Sequence, residues 1–179
     1  MEFMRHKTSI RFLLRAILNT ETYQRSCSHE TPYEKENFSR AAVKQLSGEQ
    51  LINSIQVATL GRPGRKIDEA RAMVEALFPA GAPWTEVTPL PGSMRQALLL
   101  RNNPQIMTWI KSGAVLQRIK SGAGPVERKV EEMFLAALSR MPSDLERARY
   151  ADFVGRHPDQ GFEDAYWTLL NTPEFVTRH

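Results

Sequence analysis

Apolar residues recur at one spacing along almost the whole chain. Ile10, Leu13, Leu14, Ile17 and Leu18 fall at i, i+3, i+4, i+7 and i+8, which sets all five on one helical face and predicts a helix over about 8–19. Residues 20–32 are polar and turn-prone, an exposed loop or arm, and a short helix is predicted over 33–43. Ser47 and Gln50 then form a capping box, in which each side chain takes a backbone N–H that a first helical turn leaves unpaired. A helix over 48–60 follows, with Leu51, Ile52, Ile55 and Leu60 inward and Gly61 at the position where a helix ends left-handed. The next amphipathic segment runs over 66–78, with Ile67, Ala70, Met73, Val74 and Leu77 on one side.

The stretch "PAGAPWTEVTPLPG", 79–92, holds four prolines and suits neither a helix nor a central strand. It reads as a long loop and a possible sub-boundary. Ser93 and Gln96 make a second capping box before "MRQALLLRN", and Asn103-Pro104 opens another helix, with proline at a first-turn position where its missing N–H is harmless. A short helix follows over 114–120.

The last third carries the strongest pattern. Gly124-Pro125 starts, and "RMPS" stops, a helix with Val126, Val130, Met133, Phe134, Ala137 and Leu138 in one stripe. Ser143 and Glu146 cap a helix over 144–156, with Leu145, Ala148, Tyr150, Phe153 and Val154 read as inward. Beyond "HPDQG", the residues Phe162, Ala165, Tyr166, Leu169 and Leu170 repeat the spacing of the first helix. No stretch alternates apolar and polar residues with β-branched enrichment. The prediction is an all-α, irregular bundle of about seven to nine short amphipathic helices in a single domain over 1–179.

Leu-Asn-Thr occurs twice, at 18–20 and 170–172, each time closing a helix on an apolar pair. Each asparagine is read as a left-handed stop. After the second copy, Thr172 is a good N-cap, Pro173 fits the first helical position and Glu174 favours the positive end of a new turn. The first copy leads into an extended loop. Tyr23 and Phe175 are each predicted to fold back onto the preceding helix.

Composition changes this picture little. Hydrophobic residues make up 41% and charged residues 25% of 179, ordinary for a folded domain with a sizeable core. The apolar runs fall far short of the roughly 20 residues that a membrane helix needs. "MEFMRHKTS" lacks the apolar core and cleavage site of a secretory signal. One cysteine, Cys27, excludes an internal disulfide, Cys-x-x-Cys-His haem attachment and a cysteine-rich zinc site. The net charge of +4 is concentrated early: residues 1–66 hold 11 Lys/Arg against 6 Asp/Glu. The only local cluster is "GRPGRK", where Arg62, Arg65 and Lys66 are a candidate anion contact; otherwise the cations read as a solvated surface.

Candidate chemistry is sparse. The histidines His6, His29, His157 and His179 never pair at helical spacing, so no metal site is predicted, and no cofactor is implied. Cys27-Ser28-His29 has a nucleophile beside a base but no orienting third group, and neither phosphate-cradling glycine motif is present. Glu131 and Glu132 read as a solvated helix face. The best polar cluster is "MRQALLLRNNPQI", where Arg95, Gln96, Asn102 and Asn103 flank an apolar run as a candidate pocket. The simpler reading makes Gln96 a cap, Asn102 a left-handed stop and Asn103 the next N-cap.

Five segments, "NTETYQRS", "LSGEQLINSI", "RQALLLRNNPQI", "VERKVEEMFLAALSRMPSDLERARY" and "FEDAYWTLLNTPEFVTRH", together resemble, in order, the C-terminal portion of the planctomycete-type family called domain of unknown function 1553. The resemblance covers roughly Ile10 to His179. It implies a domain of large exported proteins, following a cytochrome-c-like module, with no established activity and a supposed link to the use of glycans or sulfated polysaccharides. This chain departs from that pattern in lacking Cys-x-x-Cys-His and a signal segment. It also begins where the family's domain is already under way, as an N-terminally truncated member would. On that expectation the first helix has lost partners, and its bare apolar face promotes self-association.

Three functions follow as expectations. The first is a non-catalytic helical structural or interaction module of a larger envelope-associated protein, whose partners are other domains of that protein or a second copy. The second is a fragment of a glycan or sulfated-polysaccharide processing protein with Arg95, Gln96 and Asn102 as substrate contacts. The third is a basic nucleic-acid-binding domain using Arg62, Arg65 and Lys66, the least favoured partner class.

Overall fold

Helix punctuation decides where the elements start and stop. The structure, a computed structural model, describes residues 2–5, 8–24, 44–63, 72, 74, 76 and 94–178. Among them lie ten helices, eight of which have eight or more residues, so the protein is all-α. By its internal contacts the chain divides into two units, residues 1–44 with 179, and residues 45–178, where the sequence pattern predicts one domain with a sub-boundary near 79–92. The predicted helix over 33–43 and the loop over 79–92 lie outside the described residues.

The first unit holds α1 (Glu2–Arg5) and α2 (Ile10–Leu18). Thr8, between them, has a left-handed backbone with φ 54°. Ser9 caps α2 by accepting the Phe12 N–H at 3.3 Å. Asn19 is not left-handed as the sequence predicts. At φ −93° and ψ 6° its N–H donates to the Arg15 and Ile17 carbonyls, and the Thr20 hydroxyl donates to Ile17 at 2.8 Å, so the last turn tightens rather than reversing. The chain then turns over 21–24 instead of extending, and Tyr23 is 47% exposed.

The second unit opens inside β1 (Lys44–Gln45), which pairs with β2 (Thr177–Arg178), and beside this pair the Leu46 N–H donates to the Val176 carbonyl at 3.1 Å. Ser47 and Gln50 form the predicted capping box at the start of α3 (Gly48–Leu60), and Gly61 ends that helix at φ 77°. Within the segment 66–78, Ala72, Val74 and Ala76 are described; all three are helical and Val74 is fully buried. Next come α4 (Met94–Asn102), α5 (Pro104–Ser112) and α6 (Ala114–Ser121). The rest is α7 (Val126–Leu138), α8 (Asp144–Arg156), α9 (Gly161–Leu170) and the short α10 (Pro173–Val176).

Helix α9 is the hub, packing against α5, α6, α7, α8 and α10. That position explains its composition: Ala165, Tyr166, Leu169 and Leu170 are all buried, and Gly161 lets its first turn approach Val154 of α8. Helix α3 packs on α5 and α6, and one core joins Leu51, Ile52 and Ile55 to Ile110, Leu116 and Ile119 and on to Val130, Met133 and Phe134. The second Leu-Asn-Thr behaves as predicted in its threonine, which caps α10 through the Phe175 N–H, and Phe175 is buried. Asn171, at φ −99° and ψ 3°, is again not left-handed.

Helix α8 corrects the predicted inward face. Val154 is buried, but Leu145 is 60% exposed and Phe153 also faces solvent, where its ring lies 4.5 Å from that of His157. Tyr150 is the aromatic that turns in, meeting Phe134 edge to face at 5.1 Å.

Candidate functional site

Of the residues of "MRQALLLRNNPQI" predicted as a polar pocket, Asn103 acts as a cap. Asn103 is buried, and its Oδ1 accepts the Gln105 and Ile106 N–H groups at 2.9 and 3.2 Å as the N-cap of α5. Asn102 is exposed and is the last helical residue of α4, with no left-handed backbone, so the stop is made by the Asn103-Pro104 cap instead. Arg95 and Gln96 lie in the first turn of α4, and their side chains are outside the described residues, as is Ser93 of the predicted second capping box. In the candidate anion contact, Arg62 is exposed just after Gly61, while Arg65 and Lys66 are outside the described residues, as are Cys27, His6, His29 and His179. Among the described residues no group of three or more His, Cys, Asp or Glu side chains is placed to hold a metal ion.

The most organised polar cluster centres on Arg140, which the pattern of the sequence did not single out. Ser139 ends α7 in a left-handed conformation, φ 57°, and Arg140 follows with its guanidinium 5.4 Å from the centroid of Phe134. It donates from Nε and Nη2 to the Glu174 carboxylate at 2.6 and 2.8 Å, and from Nη1 and Nη2 to Glu146 at 2.9 and 2.8 Å. Glu146 also accepts the Ser143 N–H at 2.8 Å, so one carboxylate completes the cap of α8 and half of the clamp. The bonds from Arg140 are the main reason that its carboxyl is held down to about 2. The same two carboxylates raise the Arg140 pKa further, so its charge is permanent. This cluster ties the α7–α8 loop, α8 and α10 together.

Other charged groups are likewise engaged between helices. Arg147 donates to Glu131 at 3.0 Å and Asp144 at 2.7 Å, which makes Glu131 a half-buried cross-helix acceptor rather than the solvated residue predicted. Lys120 pairs with Glu163. The second oxygen of Glu163 and the indole Nε1 of Trp167, one turn apart on α9, are buried without a protein partner. Tyr166 donates its hydroxyl to the Ala58 carbonyl at 2.6 Å, and burial raises its pKa.

The surface that stands apart is the apolar face of α2. Ile10, Leu13, Leu14, Ile17 and Leu18 occupy an arc of roughly 140° at about 100° per residue, and each is between 38% and 69% exposed. A shallow groove along it is lined by Ile10, Leu14 and Leu18 with Arg11, Arg15 and Asn19 at its edge. Phe12, on the opposite side, is half-buried.

No family model, curated protein or solved structure matches the chain. Among the described residues no helix is long and apolar enough to cross a membrane.

Proposed function

We propose that the chain is a non-catalytic helical interaction module of a larger envelope-associated protein, of the domain of unknown function 1553 type. The observation that carries this reading is the uncovered stripe of α2, since five large apolar side chains on one helical face favour a docking surface over a solvated one. The engagement of Arg140, Glu146, Glu174, Arg147 and Asn103 in caps and clamps supports it, because these polar groups hold helices together instead of converging on a substrate. On the sequence the partner is another domain of the parent protein or a second copy.

The purified chain should turn over no member of a panel of glycans and sulfate esters. Turnover that disappears on Arg95→Ala or Asn102→Ala would overturn the reading in favour of a glycan-processing fragment.

A further inference from the structure

We infer that α2 is a surface anchor for an anionic phospholipid bilayer, lying in the headgroup region with its apolar stripe down and Arg11 and Arg15 at the lipid phosphates. The inference rests on the interaction reading above and names the partner of the same face.

Three observations carry it. First, the cations sit at the rim. On the helical wheel Arg11 and Arg15 follow directly after Leu18 at one edge of the stripe, and both line the groove beside Ile10, Leu14 and Leu18. An arginine there can keep its stem on the apolar surface and its guanidinium at the level of the phosphates, which it binds in bidentate fashion. Neither arginine pairs with a described carboxylate.

Second, the charge on the helix itself is of one sign. Helix α2 carries Arg11 and Arg15 and no Asp or Glu, with Glu2 and Glu21 the nearest acids along the chain. Two copies docking antiparallel through this stripe would bring arginine edge against arginine edge, whereas an anionic surface meets the same edge favourably. Charge complementarity thus favours an anionic lipid surface over an antiparallel second copy.

Third, the helix is already formed and capped. Ser9 caps its start and the Asn19 N–H bonds back onto its last turn, so little ordering is required on docking. At nine residues it is about 13.5 Å long, far short of the roughly 30 Å of a hydrocarbon core, so it lies on the membrane rather than through it. Exposed Met4 of α1 belongs to the same unit.

The test is co-sedimentation of the full chain with vesicles of phosphatidylcholine alone and of phosphatidylcholine with about 30% phosphatidylglycerol. The chain should bind the anionic vesicles, and bind them less as salt rises. Replacing both Arg11 and Arg15 with Gln should weaken binding roughly thirtyfold, Lys at both positions should largely retain it, and Leu14→Glu should abolish it. Circular dichroism should show unchanged helicity in each variant, because these side chains are exposed. Equal binding to both vesicle types would overturn the inference. So would no vesicle binding together with self-association, by sedimentation velocity, that Leu14→Glu disperses, although the interaction reading would then stand. No vesicle binding and no association through α2 would overturn both.

Discussion

Tyr166 shows how a single side chain can join distant parts of the chain. The last carbonyls of a helix have no partner within it, and the Tyr166 hydroxyl supplies one to Ala58, near the end of α3 and 108 residues away. Tyr166→Phe leaves that buried carbonyl without its donor and should lower unfolding free energy by roughly 1–3 kcal/mol, read from the urea midpoint at unchanged slope. Ser139 offers the opposite opportunity. It is an exposed non-glycine residue in a left-handed conformation, so Ser139→Gly removes Cβ strain and should stabilise the fold by about 0.5–1 kcal/mol, visible as a higher Tm. Neither residue is marked by sequence pattern. Tyr166 is legible only as an inward aromatic, since periodicity carries no information about a partner so far away, and Ser139 gives no sign of φ in its side chain.

Most helices were legible because their ends are written locally. Ser47 with Gln50, Asn103 with Pro104, Ser143 with Glu146, and Thr172 with Pro173 each act within three residues of themselves, and each starts the helix that the pattern predicts. The inward face of α8 was not legible, because its apolar residues spread round the helix and only contacts with α7 and α9 choose Val154 and Tyr150 over Leu145 and Phe153. Close approach between elements was equally hidden. Gly113 joins α5 to α6 with ordinary backbone angles, yet an added Cβ would lie 2.2 Å from the Trp109 carbonyl and 2.4 Å from that of Thr59. Both obstacles are backbone and cannot swing aside. Gly113→Ala should therefore destabilise by about 2 kcal/mol or more by forcing α3 away from α5 and α6, measurable by chemical denaturation.

For the whole molecule, the Arg140 clamp sets a response to acid. The Glu146 carboxyl lies near 2 in the folded protein, below the value of about 4.3 in an unfolded chain, so the native state takes up this proton later than the unfolded state. The stability it contributes is fully present above about pH 5 and is lost as pH falls towards 2. Denaturation midpoints should drop across that window, and Glu146→Gln, which keeps an acceptor for the cap of α8, should be less stable at pH 7 but flatter in acid. The candidate site divides in the same way between local and distant information. The α2 stripe could be read from spacing alone, whereas the clamp unites residues 34 positions apart, and nothing near Arg140 in the sequence announces Glu174.

The hydrogen bond from Leu46 to Val176 has a consequence for how this fold can be connected to others. The backbone enters and leaves the second unit at one spot, about one strand spacing apart. Such a unit can be spliced into a surface loop of a host protein without prying the host open, and its own ends can be joined by a short linker while new ones are cut in the exposed bend at Gly122–Gly124.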